Sequence, residues 1–144
     1  MSALALDPVS AALYTRLNVS AVTSLATGGV SDDPAQGVTF PFVWFEVREE
    51  EARGFGTSGL PLVHIRVHVF SRYGDSTTVG APQQAQLVMQ QVITRLKDHA
   101  LSVSGYATCG HMFYDETVTL SDEVLNGITV CELVATFRLF LEEA

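Results

Sequence analysis

Two pairs of side chains in this sequence could take part in metal or acid–base chemistry. His64 and His68 stand four residues apart in an alternating apolar segment, and Cys109 and His111 stand two apart farther along the chain. Together with Cys131 they offer nitrogen and sulfur ligands of the kind that zinc prefers. Strand residues four apart, however, lie roughly 13 Å from each other at ~3.3 Å per residue, which is too far to share one ion. The sequence also lacks a CxxC motif, so we expect no metal site.

A thiol near an imidazole could form a catalytic pair, so a hydrolase that uses Cys109 and His111 is one alternative function. Alternate positions on one strand, however, seldom bring sulfur and imidazole into hydrogen-bonding geometry. The sequence contains no G-x-S-x-G motif, and Gly54, Gly56 and Gly59 lack the lysine and the following helix of a phosphate-binding loop. We therefore predict that the protein is not an enzyme and that it uses no cofactor.

The composition predicts one folded domain spanning residues 1–144. Of the 144 residues, 47% are hydrophobic and 17% are charged, which is enough apolar content for a sizeable core. Eight basic and sixteen acidic residues give a net charge of −8, and the basic residues are scattered along the sequence, so nucleic-acid binding is not expected. No apolar run is long enough to cross a membrane. Because the sequence starts without an export signal, we expect Cys109 and Cys131 to be reduced, buried thiols.

Hydrophobic periodicity predicts an α+β fold. Val63, Ile65, Val67 and Val69 alternate with more polar residues, which is typical of a strand with one buried face. The dipeptide at 126–127, Asn-Gly, favours a tight hairpin turn. We expect a mostly antiparallel four-stranded sheet with two helices packed on one face. The predicted helices span 8–18 and 82–99, with a short helical turn at 20–25, and the predicted strands span 42–49, 62–71, 106–120 and 128–142.

The sheet face opposite the helices is predicted to be too apolar to lie bare in water. The mean hydropathy of +0.25 is high for a soluble monomer, which indicates that a partner covers some apolar surface. A glycine-rich arm at 52–61 also carries apolar side chains, which either contact a neighbouring subunit or fold back on their own sheet. The predicted interface residues, on this face, at the strand end and on the arm, are Arg48, Glu49, Arg53, Phe55, Leu60, Trp44, His64, His68 and Phe70.

The order of four local patterns resembles a known family. These patterns are A-A-L-Y-T-R-L at 11–17, P-F-V-W-F-E at 41–46, V-H-I-R-V-H-V-F-S-R at 63–72 and N-G-I at 126–128. Their order is similar to that in the tail-completion, or tail-terminator, proteins of long-tailed bacteriophages (siphophages), prophages and gene transfer agents. The resemblance covers about residues 9–142 and consists of strand and helix patterns rather than a catalytic signature.

The resemblance implies a structural virion protein with no catalytic residues, metal or cofactor. Such a protein would be a ring-forming subunit, usually of a hexamer, that caps the finished tail tube and joins it to the head connector. It would be assembled in the host cytoplasm and would lie at the head-proximal end of the tail. Genomic DNA would pass through its lumen without specific binding, and the acidic balance fits this role because a basic lumen would hold the phosphates.

Two further functions remain open at the level of sequence. A head–tail connector or neck subunit is also a small α+β ring protein, and sequence patterns separate it poorly from a tail terminator. A small dimeric module could instead take an apolar ligand on the open sheet face. In that case Trp44, His64 and Phe70 would line the pocket.

Overall fold

The chain forms long strands with alternating apolar residues and helices with an apolar stripe, as the periodicity predicts. The computed structural model describes residues 6–33, 39–53, 60–74, 80–97, 100–107, 113–125 and 127–143. Its helices are α1 (Leu6–Leu17), α2 (Ser20–Thr23) and α3 (Ala81–Leu96). Its strands are β1 (Val30–Ser31), β2 (Phe42–Arg53), β3 (Leu60–Arg72), β4 (Tyr106–Ala107), β5 (Phe113–Leu125), β6 (Ile128–Phe140) and β7 (Glu142–Glu143).

The main sheet is mixed and has five strands in the order β1-β2-β3-β6-β5. The four long strands pair antiparallel, which confirms the α+β class and the mostly antiparallel pairing. The prediction of four strands is wrong, because β1 adds a fifth that runs parallel to β2 with Val30 opposite Val43. The Val43 amide donates to the Gly29 carbonyl at 2.9 Å, and Val30 is buried. A strand of two residues is too short to produce a recognisable sequence period.

The hairpin of β2 and β3 is longer than the sequence predicts. β2 ends at Arg53 instead of residue 49, and β3 begins at Leu60 instead of residue 62. Arg53 lies opposite Leu60, and the register shifts between Val47 and Glu49. Pairing with the facing strand extends β2 through a charged stretch that has no alternating pattern of its own. The base of the predicted arm is therefore a β-ladder, and residues 54–59 lie outside the described residues.

A hairpin forms at the predicted position near the C-terminus, but its strand bounds differ from the prediction. Leu125 lies opposite Ile128, and Gly127 has a φ of 79°, as the second residue of a type I′ turn requires. The predicted strand 106–120 is wrong, because β5 runs from Phe113 to Leu125. Tyr106 belongs to β4, which pairs with β7 in a separate two-stranded sheet. The predicted last strand, 128–142, is correspondingly divided between β6 and β7.

The helices α1 and α3 cover one face of the sheet and enclose the core with it. α1 packs on β2, and α3 packs on β3 and β6, which agrees with the predicted placement of two helices on one face. The prediction of two helices is nevertheless one short, because α2 is a third helix where the sequence predicts only a short helical turn at 20–25. α3 ends at Leu96 rather than at residue 99, because Lys97 is already extended with a ψ of 132°. The buried residues that helices and strands contribute to this core include Val9, Leu13, Leu17, Ala85, Val88, Val92, Leu96, Val43, Phe45, Val63, Ile65, Val67, Val69, Leu133, Ala135 and Phe137.

Candidate functional site

The sheet face turned away from α1 and α3, which we call the outer face, carries an aromatic cluster at one end. The rings of Phe42 and Phe70 stack with centroids 4.9 Å apart, and Phe40 lies 5.2 Å from Phe42. Partly buried Trp44 and Ile128 pack around them. Phe42 and Phe70 are consequently only 6% and 5% exposed within a single chain. The aromatic side chains at this end of the outer face are thus largely buried within one chain, whereas the sequence predicts that a partner covers them.

His68 lies buried at the centre of the outer face between two carboxylates. Its Nδ1 is 2.9 Å from Glu132 Oε2, and its Nε2 is 2.5 Å from Glu46 Oε2. The Trp44 ring stacks on the imidazole at a centroid distance of 4.4 Å. Ionised carboxylates only accept hydrogen bonds, so the two contacts need protons on both ring nitrogens or on one carboxyl group. The three groups connect β2, β3 and β6, and both ring nitrogens are occupied by protein atoms.

Replacing the imidazole tests this arrangement. We expect His68→Leu to lower the free energy of unfolding by about 2 kcal/mol, because it leaves two poorly hydrated carboxylates without their shared donor. His68→Gln should lower the free energy of unfolding by less, since its amide still donates to one of the two carboxylates. Urea unfolding followed by circular dichroism measures both values. Equal losses for the two variants, or no loss for the leucine variant, would contradict the stabilising role of this contact.

Next to this triad, the outer face forms a cleft with a volume of about 270 Å³. The polar side chains that line it are Arg48, His64, Arg66, Thr136 and Arg138. Glu46 connects the cleft to the triad, because its Oε1 lies 3.3 Å from Nη1 of Arg48 while its Oε2 contacts His68. Within the described part of the chain, no carboxylate lies at ion-pair distance from Arg66 or Arg138. The cleft is therefore a locally basic region, suited to carboxylates or phosphates, on a chain of net charge −8.

The predicted interface residues that the structure describes fall at two places on the outer face. Trp44, His68 and Phe70 come together from its centre to its aromatic end. Arg48 and His64 instead meet in the basic cleft. The three side chains proposed for an apolar ligand pocket are thus divided, since His64 lines a polar cleft and Phe70 is buried in the aromatic cluster.

The predicted arm residues are described only in part. Glu49, Arg53 and Leu60 belong to the β2–β3 ladder, and only their backbone pairing is described. Phe55 lies outside the described residues. Their role as an interface therefore stays a prediction.

The predicted thiol–imidazole pair, Cys109 and His111, also lies outside the described residues. Among the residues that are described, no three His, Cys, Asp or Glu side chains are grouped so that they could hold a metal ion. In the same part of the chain, no helix has the length and apolar content needed to cross a membrane.

Cys131 is a free thiol on the core side of β6, and its predicted burial is confirmed. Burial raises the pKa of the Cys131 thiol above its ordinary value, and the neighbouring Asp122 carboxylate adds to this effect. The Tyr73 hydroxyl donates to Asp122 Oδ1 at 2.5 Å. This hydrogen bond raises the pKa of Tyr73 from 10.0 to about 12.

The Tyr73–Asp122 hydrogen bond predicts a loss of stability at high pH. The folded state keeps the Tyr73 proton up to a pKa of about 12, whereas the unfolded chain releases it near 10.0. The unfolded state therefore binds fewer protons between these values, and the contribution of Tyr73 to stability falls as the pH rises through this window. Urea unfolding at several pH values should show a shallower decline for Tyr73→Phe than for the wild type. If the stability of Tyr73→Phe and of the wild type declined equally with pH, the raised pKa of Tyr73 would be contradicted.

Sequence reasoning missed the partners that give the outer face its charge pattern. Glu46 and Glu132 flank His68, and Arg66 and Arg138 line the cleft beside it. The signal that could have found them is alternation, because each of these residues occupies a position of its strand that points away from the core. The scattered arginines of the sequence are brought together by strand pairing.

Comparisons with known proteins agree with the resemblance seen in the sequence. The family model for tail completion protein gp17 matches residues 11–130, which is most of the chain. A chain from a solved structure described as "Virion of native gene transfer agent (GTA) particle" has a TM-score of 0.66 at 14% identity, and the match covers 93% of this chain and 94% of that chain. At that identity the likeness shows a shared fold. No curated protein matches the chain. The chain thus belongs to the tail completion protein gp17 family and is a structural component of phage tail assembly, not an enzyme.

Proposed function

We propose that the chain forms a closed ring, with six copies as the expected number, that caps the head-proximal end of the tail tube and joins it to the head connector. The observation that carries the proposal is the family match over residues 11–130. The tail tube protein and the connector or neck protein are the proposed partners, and the mature virion is the proposed location. Assembly would take place in the host cytoplasm.

A ring of identical copies needs two unlike patches that meet head to tail. The outer face offers one such patch, with half-buried Trp44 and exposed Arg48 at its surface. The β2–β3 hairpin, with the predicted arm at its tip, offers a second. We propose that the predicted interface residues act at these contacts, with His68 and Phe70 supporting the surface from beneath.

The net charge of −8 supports a role around passing DNA. A lumen rich in Lys and Arg would retain the phosphates through counterion release, whereas a neutral or acidic lumen would let the DNA slide. We propose that the genome passes through the ring without specific binding.

Electron microscopy of particles made without this protein tests the proposed role. Overlong tails, with the normal length restored by the wild-type chain supplied in trans, are the expected result, because an uncapped tube continues to polymerise. Tails of normal length that fail to join heads would instead support the alternative role of a connector or neck subunit.

Shortening the arm tests its contribution to the ring. Replacing residues 54–59 by Asn-Gly would close the Arg53–Leu60 pair with a two-residue turn. We expect the dissociated chain to keep its melting temperature. The ring dissociation constant should rise at least about tenfold, equivalent to about 1.4 kcal/mol, since arm contacts between copies are lost. Light scattering over a concentration series measures the constant. An oligomer as stable as that of the wild type would exclude the arm from the interface.

A further inference from the structure

We infer that the basic cleft of the outer face binds carboxylates of an acidic segment from a neighbouring copy of this chain. The inference rests on the proposed ring and names the chemistry of one of its contacts. It concerns the cleft between β2, β3 and β6 rather than the arm.

The geometry of the cleft suits the binding of carboxylates. Three adjacent strands contribute Arg48, Arg66 and Arg138, and His64 lies opposite Arg138 in the register of β3 and β6. A volume of about 270 Å³ admits one or two acidic side chains rather than a folded element. Guanidinium groups bind carboxylates through paired hydrogen bonds, which fixes orientation as well as charge.

Arg48 is held in place at the cleft by neighbouring side chains. Glu46 contacts Arg48 with one carboxylate oxygen and His68 with the other. His68 is in turn held by Glu132. The triad of Glu46, His68 and Glu132 thus positions Arg48 at the cleft, and among the described residues Glu46 is the one carboxylate at ion-pair distance from the three arginines.

Charge complementarity favours a contact between this cleft and an acidic surface of another copy. The chain has sixteen acidic and eight basic residues, so copies brought together repel one another unless opposite charges meet at the contact. Three of the eight basic residues lie in this cleft. Exposed acidic side chains are available elsewhere, for example Asp32 and Asp33 beyond β1 at the edge of the sheet.

A second copy suits the cleft better than DNA does. A duplex presents a long row of phosphates and is bound by extended basic surfaces, whereas this cleft is compact and the chain around it carries a net charge of −8. DNA held at this cleft would also conflict with free passage of the genome. Phosphate binding is therefore an alternative that the experiment must distinguish.

The first experiment compares assembly of the full chain, a double variant of the cleft and a single variant outside the cleft. We expect Arg66→Gln/Arg138→Gln to raise the dissociation constant of the assembly at least tenfold and to weaken its dependence on salt between about 0.05 and 0.5 M NaCl. Arg72→Gln is the control, because Arg72 is an exposed residue of β3 that does not line the cleft. Circular dichroism melts establish that each variant is folded.

The second experiment identifies the partner carboxylate. Arg138→Lys keeps the positive charge and supplies an amine that a carbodiimide links directly to a contacting carboxylate. Mixing ¹⁵N-labelled and unlabelled protein distinguishes links between copies from links within one. A lysine–carboxylate link between copies supports the inference, and a link confined to one chain overturns it.

The remaining outcomes distinguish a failure of the cleft inference from a failure of the proposed ring. A wild-type assembly that the double glutamine variant leaves unchanged, or that Arg72→Gln weakens equally, overturns the cleft inference and leaves the ring intact. A wild-type chain that stays monomeric overturns both. Binding of a short DNA duplex that the double variant abolishes, with assembly unaffected, overturns the inference in favour of phosphate.

Discussion

Val67→Asp should abolish cooperative folding of the chain. Val67 is fully buried on the central strand β3, between Phe45 on β2 and Ala135 on β6. Both neighbours are themselves buried, so the new carboxylate would have neither water nor a donor. An unpaired charge in such a position costs several kcal/mol, a large share of the roughly 5–15 kcal/mol that stabilises a typical domain.

The matched control for this variant is Val124→Asp. Val124 lies on the edge strand β5 and is 69% exposed, so the same change should alter stability by no more than about 0.5 kcal/mol. Circular dichroism melts of both variants measure the difference. A cooperative transition near the wild-type temperature for Val67→Asp would mean that the core lies on the other face of the sheet.

Gly28→Ala should be the next most damaging substitution, with an expected loss of about 3 kcal/mol. A Cβ at this position would clash with the Thr39 carbonyl oxygen and would lie 2.8 Å from Phe42 Cβ. The Gly28 amide also donates to the Pro41 carbonyl at 2.8 Å, so the two segments cannot separate without losing this bond. The clash is with backbone atoms, which no change of rotamer relieves.

The adjacent glycine provides the control for Gly28→Ala. Gly29 has a φ of 86°, which disfavours a side chain, but no atom lies within 4 Å of the position its Cβ would take. Gly29→Ala should therefore cost only about 1 kcal/mol, from backbone strain. Urea unfolding of the two variants gives both values. A smaller loss for Gly28→Ala than for Gly29→Ala would contradict the close approach of residues 28 and 39.

The sequence predicts the core side of the sheet well because periodicity depends on local burial alone. The alternation from Val63 to Val69 identifies the face of β3 that the helices cover, and all four valine and isoleucine residues on it are buried. The stripe on α3 is equally clear, since Ala85 and Val92 recur at helical spacing and are fully buried.

The outer face could be predicted only as a set of residues, because its contacts depend on strand register. His68 meets Glu46 and Glu132 through diagonal neighbours on two different strands. A register displaced by two residues would keep the same side chains on this face but would change which of them lie next to one another. The irregularity between Val47 and Glu49 also affects this register, and no local pattern reveals it.

The net charge of the sequence gives no sign of the basic cleft, for a related reason. Arg48, Arg66 and Arg138 are separated along the sequence, so they give no charge cluster in any local window. Pairing of β2, β3 and β6 brings them into one cleft. Family resemblance adds information of another kind, because the order of patterns along the chain indicates a tail-assembly role that no single residue carries.

Native mass spectrometry of the purified chain tests most directly whether its copies close into a ring. We expect one dominant species of six copies of the 15.6 kDa chain, with few intermediates because ring closure adds contacts that open oligomers lack. A single monomeric species at every accessible concentration would contradict it.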